Sequence, residues 1–466
     1  MADGSYTWSR DPTYGEVLGP GDITVLWGSL ALGPLLLVTG ALLGLPVVDG
    51  GFGLSTPEVI IAIALGVGSG ALVLAAGSWS SAIVAVPGGL MLRPAFGTVG
   101  GAAVSIAVSA LLVGWAGYEF HVGAEALDEL LEIAGVGGTD FIGWVVAGVV
   151  VVLLILAGPV VATRVWLRWF ALVAALVLSA VWLVGLGFDG GLSIGGGGAD
   201  RFVSAVDLMV TAPLLLFPLV MDIGRSSGAP TEASRIVAIS YAAPAAILLL
   251  LGARAGVVSG TAADPVDLIV ASVGSSIGAV AAAFGAVWVI TAFLDQPFGY
   301  LESAGADTST LLARVPQRLA AFALLIPAVL IAFLIQAGDL LGYYRLMISF
   351  LVPVIAVFCA DFFVVRGRSY LADALYERGG VYRGVNMVGI ALVVFGFLLF
   401  QWLLPSGPPW FADWVLDVIP NDIPAGIQYD IPVGVAVFAG TFLAYSVLGR
   451  FAVRDRVAVS RISGRF

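Results

Sequence analysis

The sequence predicts an all-α integral membrane protein of twelve transmembrane helices. Three observations carry this. Apolar residues make up 60% of the 466 positions and charged residues only 11%, against roughly half and a quarter in a soluble domain. The apolar residues fall in recurrent blocks of about 20, the length an α-helix needs to cross a bilayer core of about 30 Å. Short clusters of Gly, Pro, Asp and Arg separate the blocks, whereas a β-barrel would show short alternating segments.

In chain order the spans are expected near 22–45, 57–77, 98–122, 141–161, 165–187, 202–221, 234–253, 268–296, 315–336, 341–364, 385–404 and 431–449. The arginines test the count independently, because cytoplasmic loops collect positive charge. All 20 basic residues are Arg. With the N-terminus inside, the inner segments hold Arg10, Arg93, Arg164, Arg168, Arg225, Arg235, Arg314, Arg318, Arg366, Arg368, Arg378, Arg383 and the five arginines after 449. Only Arg201, Arg254 and Arg345 fall outside. An even number of spans with both termini cytoplasmic follows. The polar segment 1–21 lacks the apolar core of a cleavable signal peptide. No loop is long enough for a soluble domain.

Net charge is −11, much of it in expected outer loops such as Asp128 to Glu132 and Asp413 to Asp430. This fits a solvated acidic surface or a mild attraction for cations near the entrance. The single cysteine, Cys359, lies in an apolar run, so an internal disulfide and a Cys-based metal site are excluded. The Gly-rich stretch 189–199 reads as an outer loop, since phosphate cradling needs a basic partner and a following helix in water.

Two spans carry matching breaks. Gly33-Pro34 falls about a dozen residues into span 1, and Pro213, followed by Pro218, lies about as far into span 6. Proline removes a backbone donor and clashes with the preceding turn. Breaks five spans apart predict a five-plus-five inverted repeat, 22–187 and 202–364, with helices 1 and 6 discontinuous and a site near the midplane. Helices 11 and 12 (385–449) and an Arg-rich tail (450–466) follow.

Glu119 is an acid inside the largely apolar stretch Gly100 to Leu127. Such a group is costly in a membrane unless it faces protein, water or ligand, and marks a functional site by default. Trp115 precedes it by one turn, so indole and carboxylate share a helix face. His121, the only histidine, reads as a packing residue or a proton relay. Asp207 reads as a gate or a pore-mouth charge. Asp222 and Asp361, beside Arg225 and Arg366, read as structural ion pairs.

Four strings carry a family resemblance: LVPVIAVFCADFFVVRGRSY from Leu351, PLVMDIGR from Pro218, LRPAFG around Arg93, and GWAGYE ending at Glu119. Together they resemble the nucleobase:cation symporter-1 family of purine, cytosine, allantoin and hydantoin permeases. The resemblance implies the bundle of the amino-acid/polyamine/cation superfamily, with two extra C-terminal helices. It also implies a planar heterocycle held between aromatic rings on spans 3 and 6 and bound at its edge by amides. Trp115 matches the span 3 ring, and Glu119 stands where many relatives have Gln. Pro213 occupies the expected span 6 aromatic position, with Phe217 one turn on as a substitute. Aligned on Trp288, Asp295 stands where relatives keep an Asn, and Val289 and Ile290 replace hydroxyls of sodium-coupled relatives, with Thr291 just beyond.

The expected substrate site is therefore Gly33, Trp115, Glu119, Pro213, Phe217 and Asp295. Cation coupling would use backbone near Ala31 and Pro34, with Thr291, or protonation of Glu119 or Asp295. The partners are a small-molecule substrate, Na+ or H+, and the lipid bilayer; neither a nucleic acid nor a cofactor is expected. Symport of a nucleobase-like heterocycle is the leading function. A same-fold symporter for a cationic heterocycle or amino-acid-like solute is the alternative. An intramembrane enzyme lacks the metal-ligand spacing or nucleophile-base pair it would need.

Overall fold

The computed structural model describes residues 18–133, 135, 142–171, 194, 199–227, 229–262, 265, 268, 278–312, 314–335, 340–377, 379–419 and 430–463. Segment 1–17, most of expected span 5, the Gly-rich stretch and the first part of expected span 8 lie outside them. So do the side chains of Pro34, Thr291 and Asp295.

Among the described residues the architecture is helical. α1 (Pro20–Ala31) begins with proline at its first position, with the Gly19 N–H donating to Asp22 Oδ2 at 3.3 Å. It stops before Gly33, and α2 (Pro34–Gly44) starts on the proline. The two halves are bent by 49°, as a residue without an amide proton requires. α3 (Thr56–Val84) opens with a capping box in which the Ser55 N–H donates to Glu58 Oε2 at 2.7 Å. It runs past the expected end at residue 77. A short α4 (Gly88–Met91) leads into α5 (Arg93–Ile133), which is interrupted at Gly97 by a φ of 83° and continues well beyond residue 122.

α6 (Ile142–Ala157) is followed by a π-helical segment, Ala162–Ala171. Span 6 consists of α7 (Phe202–Thr211), a 3-10 stretch (Ala212–Leu216) and α8 (Phe217–Gly224). The break at Pro213 is therefore a tightening of the helix, and the chain does not unwind there. α9 (Pro230–Ser259), α10 (Gly278–Leu311), α11 (Gln317–Ala332) and α12 (Leu340–Cys359) follow, the last continuing as a π-helix through Val365. The chain then forms α13 (Met387–Leu403), α14 (Pro409–Val418) and α15 (Val433–Ser463).

Six described helices are long and apolar enough to cross a membrane, and the bent α1–α2 pair makes a seventh. Ile142–Ala157, Gln317–Ala332 and Met387–Leu403 are apolar but shorter. This is a multi-pass membrane protein.

Small residues set the packing around the broken helices. Gly40 and Gly44 of α2 meet the Leu249 and Ala253 carbonyls of α9, and Gly252 and Gly256 return the contact to Leu37 and Ala41. The two backbones touch, an arrangement only glycine allows at a crossing. On α3, Gly66, Gly70 and Gly77 receive Met209, Pro213 and Phe217, so one stripe cradles the whole interrupted span 6.

The strings around Arg93 and Leu351 meet in one buried network. Asp361 Oδ2 accepts from Arg366 Nε at 2.9 Å and from the Tyr370 hydroxyl at 2.8 Å, and Oδ1 accepts from the Tyr445 hydroxyl at 2.9 Å. Arg366 also donates to the Pro94 carbonyl at 3.0 Å, and Asn386 donates to Ala95 at 2.7 Å and to Tyr445 at 2.9 Å. α5, α12, α13 and α15 are thus pinned together, and the expected Asp361–Arg366 ion pair forms their hub.

Candidate functional site

Trp115 and Glu119 are buried, 1% and 0% exposed. The indole Nε1–H donates to Glu119 Oε1 at 2.8 Å, so the i, i+4 spacing is realised as a direct bond. Tyr118 stacks near the indole at 5.4 Å and 27°. α10 brings a second polar face to this point. The Tyr300 side chain is buried beside Trp115 and Glu119, with Tyr241 of α9 close by.

Gln296 lies one turn before Tyr300, hence on the same face of α10. Its side-chain nitrogen reaches the helix 1 break so closely that a side chain on Gly33 would lie 2.5 Å from it. The site thus assembles the α1–α2 break, Trp115 and Glu119 from α5, and Gln296 and Tyr300 from α10. Ala31, at the last turn of α1, is fully buried beside the break.

Pro213 and Phe217 are placed differently. Pro213 packs on Gly70, and the Phe217 ring lies against Gly77 and edge-on to Phe358 at 5.9 Å. Neither makes a described contact with Trp115. Thr291 and Asp295 belong to α10, but their side chains lie outside the described residues. Sequence reasoning missed Gln296, Tyr300 and Tyr241. The i, i+4 pair Gln296/Tyr300 in an apolar span was the available signal.

Two clefts flank this centre. One is lined by Leu26, Thr163, Leu219, Asp222, Arg225 and Glu302, among others. The other, of about 270 Å³, lies at the opposite end of helix 1 by Thr39, Asp49, Gly260 and Tyr344. At the first, Asp22 accepts from Arg164 Nε at 3.2 Å and Arg168 Nη2 at 3.0 Å, and the Leu18 N–H donates to the Ser226 carbonyl at 2.9 Å. Helix 1 is latched there to the π-helical segment and to the end of span 6.

Other expected residues have structural duties. Asp207 accepts from the Gly434 N–H at 2.9 Å and the Val435 N–H at 2.7 Å, capping α15; this replaces the gate or pore-mouth reading. His121 Nε2 lies 3.1 Å from Glu125 Oε1, with its ring edge-on to Trp144. Cys359 is buried in the core, as its apolar run suggested.

Residues 18–414 match the family described as permease for cytosine/purines, uracil, thiamine, allantoin. The chain belongs to this family. The hydantoin permease of Microbacterium maritypicum is 26% identical over 328 residues, which span 64% of this chain and 65% of that permease, just under two thirds of its length. The family and this curated relative are described as permeases, not as enzymes. The solved structure of Mhp1, a nucleobase-cation-symport-1 family transporter, closed with bromovinylhydantoin bound, superposes with a TM-score of 0.68 at 21% identity, covering 90% of this chain and 97% of that one. Mhp1 in its inward-facing conformation gives 0.67 at 20% identity, covering 96% and 92%. A manganese transporter of Eremococcus coleocola shares the fold more distantly, with a TM-score of 0.54 at 13% identity over 98% and 97%.

Proposed function

We propose that this permease is a secondary active transporter that imports a nucleobase or related nitrogen heterocycle by cation symport with alternating access. The observation that carries the reading is the buried Trp115–Glu119 pair of α5, facing the α10 side that carries Tyr300 and the Gln296 amide at the helix 1 break. An indole offers a flat apolar plate, and a carboxylate and an amide offer the acceptors and donors that a heterocycle edge requires. The bound hydantoin of the related Mhp1 structure is a ring of that kind.

In this reading the chain has twelve spans in a five-plus-five inverted repeat, with both termini cytoplasmic. The arginine-rich end, where Asp22 latches helix 1, is then the inner face. Helices 1 and 6 rock against the remainder, and the two clefts are the inner and outer approaches. Gly33 and Asp295 belong to the substrate shell with Trp115 and Glu119, and Pro213 and Phe217 set its span 6 wall. The coupling cation is Na+, held by carbonyls near Ala31 and Pro34 with Thr291, or H+ taken up by a carboxylate such as Glu119 or Asp295.

Thermal unfolding of the purified protein with nucleobases, hydantoins, vitamins and amino acids, each with and without Na+, tests the substrate class, because a ligand that binds the folded state raises its stability by mass action. A shift with nitrogen heterocycles supports the proposal. A shift with amino acids alone refutes it and favours the same-fold amino-acid carrier.

A further inference from the structure

A second buried acidic site, separate from Glu119, lies where α4, α5, α8 and α10 meet. Asp222 Oδ1 accepts from the Gly88 N–H at 2.8 Å, and Asp307 Oδ1 accepts from the next N–H, that of Gly89, at 2.7 Å. Consecutive amides therefore hold two carboxylates side by side, 8% and 4% exposed. Ser303 of α10 donates to Asp222 Oδ2. The Ser105 hydroxyl of α5, 1% exposed, is aimed at the same spot: it and Asp307 Oδ1 would each lie 2.6 Å from a side-chain carbon on Gly89. Its oxygen makes no hydrogen bond of full geometry.

Both carboxylates line a small pocket together with Phe217, and Asp222 also lines the cleft on the arginine-rich side. The charged and titratable groups nearby are Arg225 at the end of α8, Glu302 of α10, and, beyond Arg225, Arg93 and Tyr376. Glu302 is bonded by the Gln317 amide at 2.9 Å, and Gln317 in turn accepts from Arg225 at 3.3 Å. Arg225 lies near both Asp222 and Asp307. Two buried carboxylates held by consecutive amides are stabilised when one of them keeps a proton, since neighbouring like charges resist joint ionisation. Among the described residues no group of three His, Cys, Asp or Glu side chains is arranged to hold a metal ion.

We propose that Asp222 and Asp307 form a proton-binding site, reached from the cleft on the arginine-rich side, that takes up and releases a proton as span 6 moves. The pair joins α8, part of the interrupted span, to α10, which carries Gln296 and Tyr300 on its other turns. Protonation relaxes the repulsion across the α8–α10 contact; loss of the proton restores it. This deepens the symport reading above, and only the transport arm of its test rests on that reading.

Infrared difference spectroscopy of the purified protein, titrated across the neutral range, is the first arm. A protonated carboxylic acid C=O band that titrates in the wild type is expected, lost in Asp307→Asn and in Asp222→Asn and kept in Asp307→Glu. Thermal unfolding of the same samples shows which variants are folded. A band that persists in both Asn variants, or no titrating band in the wild type, overturns the proposal. In the second arm, proteoliposomes without Na+ accumulate uracil or hydantoin under an imposed pH gradient, and Asp307→Asn removes the response to the gradient. Accumulation by Asp307→Asn equal to wild type overturns it too. The infrared arm decides even when neither heterocycle is carried, an outcome that counts against the substrate class alone.

Discussion

At the scale of single residues, Trp115 and Glu119 constrain each other. The indole N–H donates to the carboxylate and Tyr300 packs beside the pair, so the plate is held at its edge. Trp115→Ala removes a stacking surface and a buried donor. Each is worth about 1 kcal/mol, and the expected result is a rise in substrate KM of about tenfold or more with the protein still inserted and folded, read by uptake in proteoliposomes. Trp115→Phe keeps the plate and loses only the bond, so its KM should fall between the two. Glu119 and Trp115 were legible as an acid and an aromatic one turn apart in an apolar span. Gln296 was not, because on a helix a shift of one residue turns the side chain by about 100°. A residue alignment that puts Asp295 in place therefore leaves open which neighbour meets the helix 1 break.

At the scale of elements, the two interruptions differ in kind, and the neighbours explain it. Gly33-Pro34 bends helix 1 by 49°, whereas Pro213 rests on Gly70 of α3, within a glycine stripe that also receives Met209 and Phe217, and span 6 continues there as a 3-10 turn. Both prolines were readable from sequence, but the conformations they impose depended on a partner helix. The α2–α9 crossing makes a clear prediction. Gly252→Leu forces side-chain atoms into the Leu37 carbonyl and should cost about 1–3 kcal/mol or more, seen as a lower midpoint in thermal unfolding. Asp207→Ala should cost about 0.5–2 kcal/mol by uncapping α15, with the same readout. From sequence Asp207 invited a gate or pore-mouth role, since nothing local reveals that residues 434 and 435 supply its partners.

At the scale of the whole molecule, the latch of helix 1 bears on which face is open. Asp22 bonds Arg164 and Arg168 at partly exposed positions. Such pairs contribute only about 0.2–1 kcal/mol each, so losing both should shift an open–closed equilibrium by roughly two- to thirty-fold, at about tenfold per 1.4 kcal/mol. Asp22→Asn, with Cys359→Ser to remove the only native thiol and Thr163→Cys as a reporter in the cleft, should therefore label faster with a hydrophilic maleimide. An unchanged rate would show that the latch does not govern access.

The Asp207 cap has a further consequence for how the permease is assembled. Two N–H groups at the start of the final helix satisfy an acid set in the body of the carrier. A version truncated before residue 430 would leave that carboxylate facing hydrocarbon with no donors. The last described helix is for this reason no optional appendage: an engineered form without it would first have to exchange Asp207 for an apolar residue.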